Sequence, residues 1–149
     1  MARQRSVFSL ILVILATFLI SCGGPSVAVA PPTYTAAQLE KIQEYAPDIQ
    51  AVRDRSQELQ KWIDKQDWIN VENFIHGPIT EAKLNFTYIT PNLLPKVQPT
   101  ARQITRDLSK HLIKIDQAAR TRNTQLALSN YEAAFADIDK FIELLPKTS

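Results

Sequence analysis

After Gly24 the chain holds a single glycine, Gly77, and no stretch in which apolar and polar residues alternate. Half-buried strands need that alternation, so the pattern argues against a β fold. Apolar residues recur instead at intervals of three and four, the spacing of a helix buried along one face. Ile49, Val52, Ser56, Leu59 and Ile63 form the first such stripe. A short lead-in precedes it, in which Thr35 and Gln38 fit a capping box and Tyr34 and Leu39 a hydrophobic staple. Pro47 then either stops that turn or opens the first helix at its first position.

Three further stripes follow. Asp67 is placed to cap a second helix carrying Ile75, Ile79, Ala82, Phe86 and Ile89, with a kink expected at Gly77-Pro78 and an end at Thr90-Pro91. A third opens near Pro95 or Pro99 and carries Val97, Ala101, Ile104, Leu108, Leu112, Ile115 and Ala119. Asn123 is placed to cap a fourth, with Leu128, Tyr131, Phe135, Ile138, Ile142 and Leu145 inward and Pro146 as its stop. Four amphipathic helices joined by short loops predict an all-α, up-down-up-down four-helix bundle over residues 34–149.

The N-terminal segment carries a different message. Arg3 and Arg5 precede an apolar run, Val7 to Ile20, that closes in Leu19-Ile20-Ser21-Cys22. That run is shorter than the roughly 20 residues a spanning helix needs, so it reads as a signal segment. Leu, a branched residue, a small residue and then Cys is a bacterial lipobox. Residues 1–21 are therefore expected to be removed, and Cys22, the only cysteine, to be lipidated. Residues 22–33, rich in Gly, Pro, Ala and Val, read as an extended, flexible tether. Lipid would supply the membrane affinity, since each buried CH₂ contributes about 0.8 kcal/mol.

Of the 17 Lys and Arg, Arg3 and Arg5 leave with the signal segment, so the mature part balances 15 cations against 15 Asp and Glu. Such a neutral domain has no global field for nucleic acid. The chain also lacks a Cys-x-x-Cys-His haem motif, a phosphate loop, a Gly-x-Ser-x-Gly elbow and a His-Glu-x-x-His pair. The expectation is a non-enzyme without cofactor or small-molecule substrate.

The middle and end of the chain carry a resemblance. Asp67-Trp68-Ile69-Asn70-Val71-Glu72-Asn73-Phe74-Ile75-His76-Gly77-Pro78 leads into Asn92-Leu93-Leu94-Pro95. Ile115-Asp116-Gln117-Ala118-Ala119, Tyr131-Glu132-Ala133 and Phe141-Ile142-Glu143-Leu144-Leu145-Pro146 follow. This order resembles the PsbQ family of photosystem II extrinsic proteins, in its cyanobacterial lipoprotein form. The resemblance implies a non-catalytic subunit on the lumenal side of the thylakoid membrane that stabilises the oxygen-evolving complex and its calcium and chloride. It also implies two neighbours: a core chlorophyll-binding antenna protein and the large manganese-stabilising extrinsic protein. A transient photosystem II assembly factor is the alternative from a different class.

Several residues are candidates for contact with partners. Arg102, Arg106, Lys110 and Lys114 fall at four-residue spacing and predict a basic ridge on the third helix, with Arg120 and Arg122 beyond. Such a stripe suits acidic protein loops and would make docking salt-sensitive. Trp68 either closes one end of the bundle or faces a partner, and His76, Gly77 and Pro78 suit a shaped docking feature. Glu72 and His76, four residues apart, could point together at a metal, which keeps a small metal-binding envelope lipoprotein as a third reading. The spacing of di-iron bundles, with Glu-x-x-His on two helices, is absent, and His111 belongs to no motif.

Overall fold

The computed structural model describes residues 33–147. The signal segment 1–21, the lipidation candidate Cys22 and tether residues 22–32 lie outside the described residues. Helix α1 spans Ala36–Asp54, α2 Ser56–Asp64, α3 Trp68–Phe74, α4 Thr80–Ile89, α5 Gln98–Thr121 and α6 Thr124–Glu143. A π-helical turn, Ile75–Ile79, joins α3 to α4, and a 3₁₀ turn, Thr90–Asn92, follows α4. No strand occurs among the described residues, and none of their helices is long and apolar enough to cross a membrane.

The six helices make four rods: α1 with α2, α3 with α4, then α5 and α6. Helix α1 lies beside α4 and α2 beside α3, so the first two rods run antiparallel. The second rod lies beside α5, α5 beside α6, and α6 returns to α1 and α2. The result is a closed ring of four neighbours in chain order, the predicted up-down-up-down bundle. Opposite rods meet through large side chains: Phe86 of α4 stacks on Phe141 of α6, with ring centroids 3.6 Å apart. A bidentate ion pair between Arg53 and Asp139 ties the first rod to the fourth.

The helix starts follow the local chemistry. Thr35 Oγ1 accepts from the Gln38 backbone at 3.3 Å while Gln38 Oε1 accepts from the Thr35 backbone at 2.9 Å. Asp67 and Asn123 accept from Asn70 and Leu126 in the same way. Each capping side chain satisfies a donor that the helix leaves orphaned. Helix α5 begins at Gln98 with Pro99 in its first turn, where the missing N–H costs nothing.

One expectation is corrected and two are refined. The lead-in and the first helix are one helix, and Pro47 lies inside it on an exposed position. A proline there removes one backbone donor and crowds the preceding turn, yet the helix runs on through it, and the interruption falls instead at Arg55 (φ −88°, ψ 8°). The Gly77-Pro78 disturbance takes the form of a π turn. One extra residue in the turn accommodates the missing proline donor, and Thr80 Oγ1 donates to the Ile75 carbonyl at 2.7 Å. The fourth stripe keeps Tyr131, Phe135 and Ile138 buried as expected and shifts at its edges. Leu128, Ile142 and Leu145 are half-buried, while Ala127, Ala134 and Phe141 are fully enclosed. Small buried residues on both helices, Ala127 and Ala134 on α6 and Ala118 and Ala119 on α5, let the last two rods lie close together.

Candidate functional site

The four cations of the expected ridge lie along α5, all exposed. Their side chains differ in what they already hold. Lys110 Nζ is 2.7 Å from Asp107, and that hydrogen bond, with a second from Gln103, holds the Asp107 carboxyl below its ordinary range. Lys110 therefore already has a carboxylate partner. Arg102 Nη2 donates to Gln98 Oε1 at 2.9 Å, Arg106 to Gln103, and Lys114 to Gln117 at 3.4 Å. Those partners are neutral amides. Among the described residues no carboxylate pairs with Arg102, Arg106 or Lys114. The ridge thus narrows to two uncompensated guanidiniums at its N-terminal end and one ammonium beyond.

Both guanidiniums stand over a groove of about 370 Å³ between α4 and α5, whose other wall is Thr87 of α4 with Thr90 and Pro91 of the 3₁₀ turn that follows it. At Ser109 the groove meets a second hollow of about 200 Å³, bordered by His76, Lys83, Ile113 and Asp116. The structure so brings two of the candidate regions, the basic ridge and His76, onto one seam between the second and third rods.

His76 does not turn toward Glu72. Its Nε2 lies 2.9 Å from Asp116 Oδ1 on α5, and the other Asp116 oxygen takes Arg120 at 2.7 Å. Among the described residues no three His, Cys, Asp or Glu side chains converge on a point that would hold a metal. Gly77 has a negative φ, and a Cβ added there would meet nothing within 4 Å. Pro78 beside it is half-buried. Trp68, at the start of α3, packs half-buried against the core, and Trp62 meets Phe74 edge-on at 5.5 Å. These indoles close the end of the bundle. The side chain that projects there is Ile69, 73% exposed.

The PsbQ family model, described as oxygen evolving enhancer protein 3, matches residues 2–146. The chain belongs to the PsbQ family. Among curated relatives, CyanoQ of Synechocystis sp. is 37% identical over 150 residues, covering the whole of both chains. The PsbQ match begins at residue 2, so it takes in the segment that carries Cys22 as well as the bundle.

Within this PsbQ bundle some participants could not be read beforehand. Asp116, the partner of His76, is 40 residues away along the chain. Ile113 and Ile69 sit off the buried stripes and are left at 66% and 73% exposure. His111 faces the opposite seam, where its Nδ1 meets Asn130 at 3.2 Å and its Nε2 approaches buried Asp137 at 3.6 Å. That arrangement ties α5 to α6 and takes no part in the groove.

Proposed function

We propose that this chain is an extrinsic, non-catalytic subunit of photosystem II, held by lipid on Cys22 at the lumenal face of the thylakoid membrane. The observation that carries the reading is the match to the oxygen evolving enhancer protein 3 family over residues 2–146, joined by the full-length identity to CyanoQ. The subunit acts by covering the lumenal surface and helping the oxygen-evolving complex keep its calcium and chloride. Its neighbours are a core antenna protein and the manganese-stabilising extrinsic subunit.

The physical arrangement suits that role. Lipid confines the domain to the membrane surface, and the tether lets the bundle search nearby lumenal loops at high local concentration. Modest contacts then suffice, because the second binding event is intramolecular. Arg102 and Arg106 give those contacts a sign. The test is oxygen evolution in membranes with and without the protein as calcium and chloride are diluted. Activity should fall earlier in membranes that lack it. Identical dilution curves would contradict the role.

A further inference from the structure

The seam between α4 and α5 is walled by hydroxyl residues that are already spoken for. Thr105 Oγ1 and Ser109 Oγ on α5 donate to Ala101 and Thr105 carbonyls, each at 2.9 Å. Across the groove Thr87 Oγ1 and Thr90 Oγ1 donate to Leu84 and Phe86 carbonyls, each at 2.6 Å. With their protons used locally, the threonines show the groove methyl groups, and Thr87, Thr105 and Ser109, which are not buried, show it oxygen lone pairs. The directional donors left at the rim are the guanidiniums of Arg102 and Arg106. Each has five N–H bonds and gives one to a neutral amide.

From this we infer that the α4–α5 groove is the docking site for an extended acidic segment of a partner protein, a deepening that rests on the docking role proposed above. Charge complementarity asks for carboxylates at Arg102 and Arg106, which bind such groups bidentately. The spacing fits an extended chain. Residues four apart on α5 lie about 6 Å apart along its axis, and alternate residues of a strand lie about 6.5–7 Å apart. The lone pairs of the Thr87, Thr105 and Ser109 oxygens then accept from the segment's backbone N–H groups, a contact an acyl chain could not make. Beyond Ser109 the second hollow presents Ile113 and Lys83. Ile113 lies about 10 Å past Arg106, roughly three extended residues further along. The segment therefore reads acidic, any residue, acidic, with an apolar side chain about two or four positions later, where it returns to the groove-facing side.

The decisive experiment places a photo-crosslinking p-benzoylphenylalanine at Thr87 in the tagged, full-length chain and irradiates it in photosynthetic membranes. The expected product is a peptide with carboxylates at alternate positions, from a subunit of the photosystem. Neutralising both guanidiniums (R102Q with R106Q) should lower its yield about tenfold, as expected for the loss of two charge-assisted contacts. Lys110→Gln, whose charge Asp107 already offsets, should leave the yield within about twofold. Circular dichroism of each variant confirms that the bundle is intact. A lipid adduct, an adduct between two copies, a peptide without the acidic pair, or an unchanged yield in the double variant would overturn the inference. Failure of the tag to recover any photosystem subunit would overturn the proposed function instead, and the acidic-pair criterion would still decide what the groove binds.

Discussion

His76 Nε2 and Asp116 Oδ1 sit 2.9 Å apart and join the π turn of the second rod to the C-terminal part of α5. The pair is open to solvent on the His76 side, whose side chain is 63% exposed. Exposed pairs of this kind contribute about 0–1 kcal/mol. His76→Ala should therefore unfold within about 1 kcal/mol of the parent in urea. A loss several times larger would mean that the π turn depends on this contact.

Phe86 and Phe141 fill the centre of the bundle, neither exposed to solvent. Truncating either removes a large buried side chain and leaves a cavity, at a cost of about 3–5 kcal/mol. Because the rings share one contact, the double truncation should cost less than the two single costs combined. Urea denaturation of the three variants measures this coupling, and strict additivity would show that the rings pack independently.

Gln66 (φ 57°) and Arg122 (φ 53°) hold left-handed backbone where the first and third rods end. At both corners the next N–H reaches back to a carbonyl five residues earlier: Asp67 to Trp62 at 2.8 Å and Asn123 to Ala118 at 2.9 Å. Glycine is the usual residue at such a helix end. Gln66→Gly and Arg122→Gly should each stabilise the bundle by roughly 0.5–1 kcal/mol, the left-handed penalty less the entropy that glycine adds to the unfolded chain. Thermal melts decide it, and destabilisation would mean that these side chains contribute contacts of their own.

Glu44, Glu58 and Asp107 are each held below their ordinary range, first by hydrogen bonds from Lys41, Arg55 and Lys110 respectively. A depressed carboxylate adds stability above its unfolded-state value, near pH 4, and loses it as the pH falls through the folded-state value. The melting temperature should thus be flat between about pH 8 and 5 and decline below about 4. Replacing Lys41, Arg55 and Lys110 together by Gln should flatten part of that decline. An acid limb as steep as the parent's would show that these pairs add nothing.

Much of this architecture is legible in the sequence because large apolar residues repeat on one helix face. Ile49, Leu59, Ile63, Ile79, Phe86, Leu108 and Ile115 are all read as core and all are fully buried. The caps at Thr35, Asp67 and Asn123 are equally local, and local chemistry survives folding. The last helix misleads because Leu128 and Ile142 carry more apolar surface than Ala127 and Ala134. The close seam with α5 selects the alanines, and that closeness is a property of two helices together. Pro47 misleads for a related reason: Ile42, Ile49 and Val52 are buried on both sides of it, and that tertiary packing, not the local cost of the ring, decides that the helix continues. The groove between α4 and α5 left no stripe at all. Its walls are Ser and Thr, ordinary surface residues until two helices face each other. The unequal charges of the ridge were nearer to hand, since Asp107 stands three residues before Lys110 and reads as its partner on one helix face.

The most direct test of the account is purification of a C-terminally tagged chain from gently solubilised photosynthetic membranes, with oxygen evolution assayed on the eluate. The account predicts active, oxygen-evolving photosystem II, with a core antenna protein and the manganese-stabilising subunit among the recovered chains. Inactive centres without manganese would contradict it in favour of an assembly factor, and an eluate without photosystem subunits would contradict it altogether.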